Sequence, residues 1–487
     1  MLFHFKGTGA KSNRLLSGAV LLTATQVACY GLSFTRNLIV ARTLTKVDYG
    51  VATLLGMALM VLELGGRMGF GQQVIQSRQG DSPEFQGTAQ AFQFLAGACS
   101  AVLLAGMSGP MARLFDAGEI WWAFAMLAAV PLFQGLNHLD AARRQREYDY
   151  MPFVMMELVP QIIITLAVWP LTAVFGDFRV ILWMMVGKAV LTTAISFVFA
   201  KQPYRWDWNA QNARSMLSFG WPLILNSLVM FGCQQADQLL VGAAFSLELL
   251  ASYGLAFSLV SIPWFVFGQV GSSLMLPLLS RVEDYPDRFA RQYRNCVQVG
   301  AVTAVGLTLP LMIGGEQLIV LLYGEKYRGT GQFVAVLGAG FMLRFLRFAP
   351  AVAAIAMGDT KNQLYSNLWR GVSLPLAFSV WGLGGSAVQI ACCAVIGEIV
   401  ATAASVLRLR IRQNVPIQEN AAAIGYMLIF LLAGFLTLKL GIDRMAIQFA
   451  AIAAVAAFVI SVFAAWVVFP EVSRLWLRVL YSEGKPT

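Results

Sequence analysis

The sequence predicts an all-α polytopic membrane protein with about 14 transmembrane helices. Hydrophobic residues make up 58% of its 487 residues and charged residues 12%, and the mean hydropathy is +0.67. Because a soluble globular protein carries about 25% charged residues, no aqueous fold could bury this much apolar surface. The apolar residues also occur in stretches of roughly 20, the length of helix that crosses a bilayer core about 30 Å thick.

Candidate spans follow one another along almost the whole chain. We predict them at 15–42, 47–75, 88–110, 119–139, 150–175, 179–200, 214–244, 249–279, 293–322, 331–357, 362–383, 386–407, 420–440 and 445–469. The first apolar run continues past Ala28 to Ile39 without a small-residue cleavage pattern. We therefore expect a first helix that stays attached, and not a cleaved signal peptide.

The charges in the connectors test these spans independently. With the N-terminus placed inside, 21 of the 35 Lys and Arg residues lie in inner connectors or at the adjoining span ends, and 7 in outer connectors or at the adjoining span ends. Cytoplasmic connectors of membrane proteins are enriched in Lys and Arg. The bias predicts that both termini are cytoplasmic, and it accounts for the net charge of +10 without nucleic acid, for which the sequence offers no basic domain.

The cysteines give no indication of a metal or redox site. Their spacing contains neither a CxxC pair nor a nearby histidine, and they lie in or beside the apolar stretches. We predict that they are small buried hydrophobic side chains: Cys29, Cys99, Cys233, Cys296, Cys392 and Cys393.

An internal repeat predicts the domain organisation. RNLIVARTLTKVDYG at Arg36 aligns with DQLLVGAAFSLELLASYG at Asp237, and each copy runs on through a helix to a polar end, SRQGD or SRVED. The offset of about 201 to 204 residues corresponds to six helices, so both copies have the same orientation. We predict two pseudo-symmetric six-helix lobes, at 1–210 and 211–412, and two extra helices with a cytoplasmic tail at 413–487.

Five segments together resemble a known family. They are ARTLTKVDYG at Ala41, LGGRMGFGQQVIQ at Leu64, YGLAFSL at Tyr253, LMLPLLSRVED at Leu274 and LLYGEKYRG at Leu321. In their order and spacing the chain resembles the Wzx-type oligosaccharide flippases of polysaccharide biosynthesis. These proteins form one superfamily with the lipid II flippases and the multidrug and toxic compound extruders. The resemblance implies a MATE-like fold.

The resemblance also implies a function. A protein of this kind would move an undecaprenyl-diphosphate-linked oligosaccharide across the bacterial inner membrane, by alternating access between the two lobes. The oligosaccharide would serve O-antigen (lipopolysaccharide), capsule or exopolysaccharide synthesis. The implied partners are the lipid-linked substrate and the polysaccharide polymerase and chain-length machinery. We expect a monomer, since one chain holds both lobes, and no cofactor; proton and sodium coupling both stay open.

Basic residues inside the spans are candidates for substrate binding. An ionisable group at the bilayer centre costs at least about 2.5–3.5 kcal/mol, so its presence indicates function. Arg344 and Arg347 are three residues apart and share a helix face, and Arg370 lies on the next span. Because guanidinium groups match phosphate oxygens, we predict a cationic substrate site for the diphosphate: Arg36, Lys188, Arg344, Arg347 and Arg370. The alternative, that two or three of them are salt-bridged scaffold residues, stays open.

Acidic residues inside the spans are candidates for coupling or gating. Asp237 occupies the repeat position of Arg36, and it could pair with an arginine in a closed state or bind a coupling ion. Glu63 and Arg67 are four residues apart and predict an ion pair, either structural or coupling. Glu157 and, as a weaker candidate, Glu398 are isolated acids of the same kind.

A cytoplasmic basic cluster lies outside the spans. Arg143, Arg144 and Arg146 follow the fourth span, and we interpret them chiefly as an orientation determinant. They could also gather anionic head groups or the diphosphate before entry.

Two other functions remain open. A multidrug exporter of the same fold would need acidic and aromatic walls for organic cations, whereas six bases face four acids here. A membrane polymerase, ligase or glycosyltransferase would need catalytic acids or bases on a sizeable aqueous domain, whereas the longest connectors here have about 14 residues. We therefore predict no catalytic residues and no enzyme activity.

Overall fold

The computed structural model describes residues 9–66, 69–77, 79–440 and 446–471. These residues form α-helices joined by short turns and contain no strand. The helices are α1 (Gly9–Thr43), α2 (Lys46–Gly66), α3 (Phe70–Gln76), α4 (Pro83–Leu114), α5 (Trp121–Met126), α6 (Ala129–Gly135), α7 (Asp140–Arg146), α8 (Met151–Phe175), α9 (Arg179–Val198), α10 (Ala210–Ala244), α11 (Leu247–Ser280), α12 (Pro286–Tyr323), α13 (Gly331–Ala356), α14 (Lys361–Arg370), α15 (Ser373–Gly382), α16 (Ala387–Gln413), α17 (Ala421–Lys439) and α18 (Ile447–Val468). The predicted all-α class is confirmed.

The helices have the length and composition of membrane spans. In the described ranges, nine are long and apolar enough to cross a bilayer, and ten if the bent pair Gly118–Gly135 and Asp140–Arg146 is one span. The chain is therefore a multi-pass membrane protein, as predicted. The count of fourteen spans stays a prediction.

Three predicted spans are each two helices in the structure, at 47–75, 119–139 and 362–383. The second and third of these breaks lie about one turn before Pro131 and Pro375. Because proline has no N–H, it cannot donate to the carbonyl group four residues earlier, which weakens the helix there. The first break precedes α3 at Gly69, whose φ of 70° lies in the left-handed region that favours glycine. These three spans therefore contain broken helices, and the positions of the breaks were not predicted.

The chain divides into two compact units. Unit 1 ends at Phe231 and unit 2 begins at Gly232, inside α10. The start of α10 belongs to unit 1 because Met216 is buried against Phe70 and Val74 of α3. The two units are defined by contacts between residues, which do not test the internal repeat. The two predicted lobes therefore stay a prediction.

Unit 1 is built on pairwise packing of its helices. α1 packs against α8, α8 against α9, and α4 against α2 and α6. α4 begins at a cap in which Ser82 Oγ accepts from the backbone N–H of Phe85. A Cβ at Gly97 of α4 would lie 2.4 Å from the carbonyl oxygen of Pro131. The close approach of α4 and α6 therefore requires glycine at this position.

Unit 2 surrounds α13. This helix packs against α11, α12 and α16, and 89% of its most apolar 18-residue stretch is buried. α14 and α15 pack on α16, while α17 and α18 pack on α12. Only 11% of the most apolar 18-residue stretch of α18 is buried. An apolar helix with so little protein contact is suited to face lipid.

The cysteines differ from the prediction. Cys296 and Cys393 are buried, whereas Cys99 on α4 and Cys392 on α16 are exposed. The prediction of burial is wrong for these two, because on a membrane-spanning helix a small apolar side chain can face lipid without a polar cost. The side chain of Cys233 lies outside the described residues.

Candidate functional site

Three of the predicted arginines meet at a single carboxylate in unit 2. Glu398 lies 2.7 Å from Arg344 Nη2, 3.3 Å from Arg347 Nη2 and 2.9 Å from Arg370 Nε. Arg344, Arg370 and Glu398 are exposed by 8%, 3% and 2%. These four residues, which we call the arginine cluster, form a buried group of charges contributed by α13, α14 and α16.

The helix packing brings these residues together. Arg344 and Arg347 project from one face of α13, and Arg370 ends α14. Gly397 precedes the carboxylate on α16, and a Cβ there would lie 2.9 Å from the carbonyl oxygen of Arg370. Glycine at 397 thus allows the end of α14 to approach α16 closely enough for Arg370 to reach Glu398.

The arginine cluster carries more positive than negative charge. Three guanidinium groups face one carboxylate, and Arg347 also donates to Ser366 Oγ and Asn367 Oδ1, at 3.1 and 2.9 Å. Arg370 Nη1 is buried and donates to no atom in the described part of the chain. Unbalanced charge is costly in a bilayer, and guanidinium groups bind phosphate and carboxylate oxygens in a fixed geometry. The cluster is chemically suited to bind an anion.

Asp237 has a tyrosine partner. The hydroxyl group of Tyr253 donates to Asp237 Oδ2 at 2.5 Å, and Tyr253 is fully buried. In the described part of unit 2, Asp237 forms no ion pair. Asp237 and Tyr253 both belong to the second copy of the internal repeat, at its first residue and in its Tyr-Gly pair. The hydrogen bond therefore joins two positions of that copy.

Arg36, the repeat counterpart of Asp237, is held by an amide in unit 1. With the amide oxygen of Gln161 assigned toward it, Oε1 accepts from Arg36 Nη1 at 3.2 Å and from Ser33 Oγ at 2.6 Å. The two repeat positions therefore carry opposite charges in different surroundings.

Lys188 and Glu157 line the same cavity in unit 1. Its volume is about 480 Å³, and α2, α4, α6, α8 and α9 contribute to its walls. Both residues lie well inside their helices and are half-buried. The structure thus brings a predicted substrate-binding residue and a predicted coupling residue into one space.

Two predicted residues fall outside the described part of the structure. The side chain of Glu63 and the whole of Arg67 lie there. The expected ion pair between them stays a prediction.

The basic cluster of Arg143, Arg144 and Arg146 is engaged in contacts within unit 1. Arg143 pairs with Asp140 at 2.7 Å, and Arg144 pairs with Asp149 at 2.5 Å. Arg146 donates to two carbonyl oxygens at the C-terminal end of α3. The contacts of Arg146 hold α7 against the end of α3, whereas the Arg143–Asp140 pair lies within α7. The orientation role stays a prediction.

Sequence reasoning missed one acidic residue and gave little weight to another. Glu316 of α12 accepts from the backbone N–H groups of Gly329 and Gly331, both at 2.5 Å, and so holds the LLYGEKYRG turn. An acid in an apolar span just before a glycine-rich turn was the available signal. The sequence indicates Glu398 only as an isolated acid, although it pairs with three arginines.

The chain is similar to proteins of polysaccharide biosynthesis. The family described as "Polysaccharide biosynthesis protein" matches residues 39–331. The teichuronic acid biosynthesis protein TuaB of Bacillus subtilis is 22% identical over 61% of this chain. The amylovoran biosynthesis protein AmsL of Erwinia amylovora is 27% identical over 30% of it. The matched regions span 62% and 38% of these two relatives.

The fold is similar to that of solved membrane transporters. The lipid II flippase MurJ in an inward closed conformation aligns with a TM-score of 0.71 over 95% of this chain and 99% of that one, at 14% identity. An inward-facing multidrug resistance MATE family transporter aligns with a TM-score of 0.64 over 79% and 94%, at 13% identity. These likenesses show a shared fold.

Proposed function

Since this chain belongs to the polysaccharide biosynthesis protein family and has the fold of a lipid II flippase, we propose that it is a flippase for a lipid-linked oligosaccharide. Its substrate would be an undecaprenyl-diphosphate-linked repeat unit, moved from the cytoplasmic to the periplasmic leaflet of a bacterial inner membrane for O-antigen, capsule or exopolysaccharide synthesis. The protein would act as a transporter and make or break no covalent bond.

The arginine cluster is the observation that carries this proposal. In a diphosphate that bridges a lipid and a sugar, each phosphate carries one negative charge. The cluster has three guanidinium groups and one carboxylate, so its excess positive charge equals the charge of such a diphosphate. Since bidentate contacts to phosphate favour arginine, Arg344, Arg347 and Arg370 would replace water around the diphosphate as it crosses the bilayer.

Arg36 and Lys188 would assist from unit 1. Both are basic side chains inside helices, and neither forms an ion pair in the described part of that unit. Each could therefore contact the lipid-linked substrate without first breaking a salt bridge.

The transport cycle would follow alternating access between the predicted lobes. Asp237 would couple or gate the cycle, since its charge sits at a repeat position opposite in sign to Arg36. Glu157, and the Glu63–Arg67 pair, are further candidates for this role. The coupling ion would be a proton or sodium.

Complementation tests the proposal. A flippase-deficient strain would receive the wild-type chain, Arg344→Ala, Arg370→Ala or the control Arg328→Ala, whose pair with Glu325 is exposed. We expect wild type and control to restore surface polysaccharide. The two cluster variants should trap lipid-linked repeat units in the cytoplasmic leaflet at normal protein levels.

Two outcomes would count against the proposal. Full export by both cluster variants would remove the arginines from substrate binding. Failure of the wild-type chain in every host, together with export of a cationic dye, would favour a multidrug exporter.

A further inference from the structure

The cavity in unit 1 has a polar lining of mixed character. Its polar side chains are carboxamides, two hydroxyl groups, one carboxylate and one ammonium group: Gln93, Ser100, Gln134, Asn137, Glu157, Lys188 and Thr192. All of them except Asn137, which lies in the turn after α6, are on helices that belong to candidate membrane spans, where polar groups without a function are costly. Its volume of about 480 Å³ falls within the range of about 300–1,000 Å³ typical of small-molecule sites.

The charges of this cavity indicate a different ligand from that of the arginine cluster. Lys188 and Glu157 have opposite signs, so together they add no net charge. Within the described ranges, neither forms an ion pair, and both can therefore reach a ligand. A diphosphate would meet no excess positive charge here, and an organic cation no excess negative charge.

Hydroxyl groups suit this lining. A carboxamide offers both donors and an acceptor, a carboxylate accepts, and an ammonium group donates. A ring of adjacent hydroxyl groups, each both donor and acceptor, can satisfy all of these at once. Asn137 accepts from Thr193 Oγ1 at 2.9 Å, while its amide nitrogen donates to no described atom and remains for a ligand.

The walls of the cavity are held in place before any ligand binds. Gln93 Nε2 donates to three carbonyl oxygens where α6 ends, at 3.2, 3.3 and 3.0 Å. The one hydroxyl hydrogen of Thr193 on α9 is shared between Asn137 Oδ1 and the carbonyl oxygen of Phe133, which lies 2.8 Å away. Polar groups fixed in this way lose little entropy on binding, which favours specific recognition.

We infer that the unit-1 cavity is a sugar subsite that binds a hydroxyl-rich monosaccharide of the lipid-linked glycan. The inference rests on the proposed function, and it separates the recognition of the glycan from that of the diphosphate. Glu157 accepts from sugar hydroxyl groups, Lys188 donates to them, and the carboxamides complete the contacts.

The test compares two lipids in proteoliposomes that contain the purified full chain. One is undecaprenyl diphosphate carrying an oligosaccharide repeat unit, and the other carries a methyl group in its place and keeps the same charge. Wild type should flip the glycan-bearing lipid faster. The shape-conserving Thr192→Val should slow that lipid about threefold to tenfold, the effect of one lost hydrogen bond or two, and leave the methyl lipid unchanged. Lys188→Met and Glu157→Gln should slow the glycan-bearing lipid more than the methyl lipid.

Two controls separate this inference from the proposed function. Val190→Leu, on the exposed side of the same helix α9, should change neither rate, whereas Arg344→Ala should slow both lipids. If the cavity variants slow both lipids equally, or neither, the sugar subsite is refuted while the flippase stands. If wild type moves neither lipid, the proposed function fails and the inference fails with it.

Discussion

Replacing Glu398 by glutamine removes the carboxylate that pairs with three arginines and keeps the shape of the side chain. The three nitrogen–oxygen distances are 2.7, 3.3 and 2.9 Å. Two unit charges about 4 Å apart attract by about 4 kcal/mol at an effective dielectric constant of about 20. The carboxylate takes part in three such attractions, which offset the repulsion among the arginines.

The loss should exceed that of any single arginine. In Glu398→Gln, three buried guanidinium groups repel one another without compensation. In Arg344→Gln, by contrast, the carboxylate keeps two partners. Removing one member of a buried ion pair costs about 3–5 kcal/mol, and we expect Glu398→Gln to fall at the upper end of this range. Arg344→Gln should cost clearly less.

Thermal unfolding of the purified protein in detergent measures this order. The matched control is Arg328→Gln, because the Arg328–Glu325 pair has the same distance of 2.7 Å but side chains exposed by 63% and 70%. An exposed pair contributes about 0–1 kcal/mol, so the control should unfold close to wild type. The double variant Arg344→Gln/Glu398→Gln should be more stable than Glu398→Gln alone.

The order of the variants' stabilities shows whether repulsion among the arginines governs the cluster. If Arg344→Gln costs as much as Glu398→Gln, or if the double variant is no more stable than Glu398→Gln, repulsion among the arginines does not govern the cluster. The reasoning from charge balance would then be wrong.

Three further predictions concern other parts of the molecule. Tyr253→Phe removes a hydrogen bond to the carboxylate of Asp237, worth about 1.5–3 kcal/mol. It should slow export in the complementation assay and add nothing to Asp237→Asn, and an unchanged export rate would contradict the role of the pair. Gly97→Ala forces α4 away from a carbonyl oxygen on α6 and should lower the free energy of unfolding by about 1–3 kcal/mol. Gly106→Ala, on the same helix with open space around it, should not lower the free energy of unfolding. Equal melting temperatures for the two variants would refute the packing argument. Hydrogen bonds from Arg408 hold the pKa of the Asp359 carboxyl group below its ordinary value of 3.8. This pair therefore stabilises the fold at neutral pH and loses its effect as the pH falls through the lowered pKa, so the stability difference between wild type and Asp359→Asn should shrink as the pH falls below about 5. A difference that does not depend on pH would exclude the ion pair as its cause.

The fold could be predicted in large part because apolar length determines where a helix can cross a membrane. Each predicted span overlaps a helix of the structure. The breaks could not be predicted in the same way. Pro131 and Pro375 follow breaks, whereas Pro263 and Pro310 lie inside continuous helices. Neighbouring helices and side chains decide whether the freed carbonyl group is satisfied.

The candidate site was predictable only along each helix. Spacing placed Arg344 and Arg347 on one face, which the contacts of α13 confirm. Their meeting with Glu398 depends on how closely α14 approaches α16, and the sequence carries no direct measure of that distance. The same holds for Lys188 and Glu157, which share a cavity only because α8 packs against α9.

The position of Glu398 among its arginines has a consequence for substrate release. Under the proposed function, an arriving diphosphate exchanges with an anion that is tethered beside the same guanidinium groups. A tethered competitor acts at an effective concentration in about the millimolar range, so it weakens apparent affinity and re-forms its own pairs as the phosphates leave. The carboxylate would therefore favour rapid turnover over tight binding, which suits a carrier that must let its cargo go on the far side.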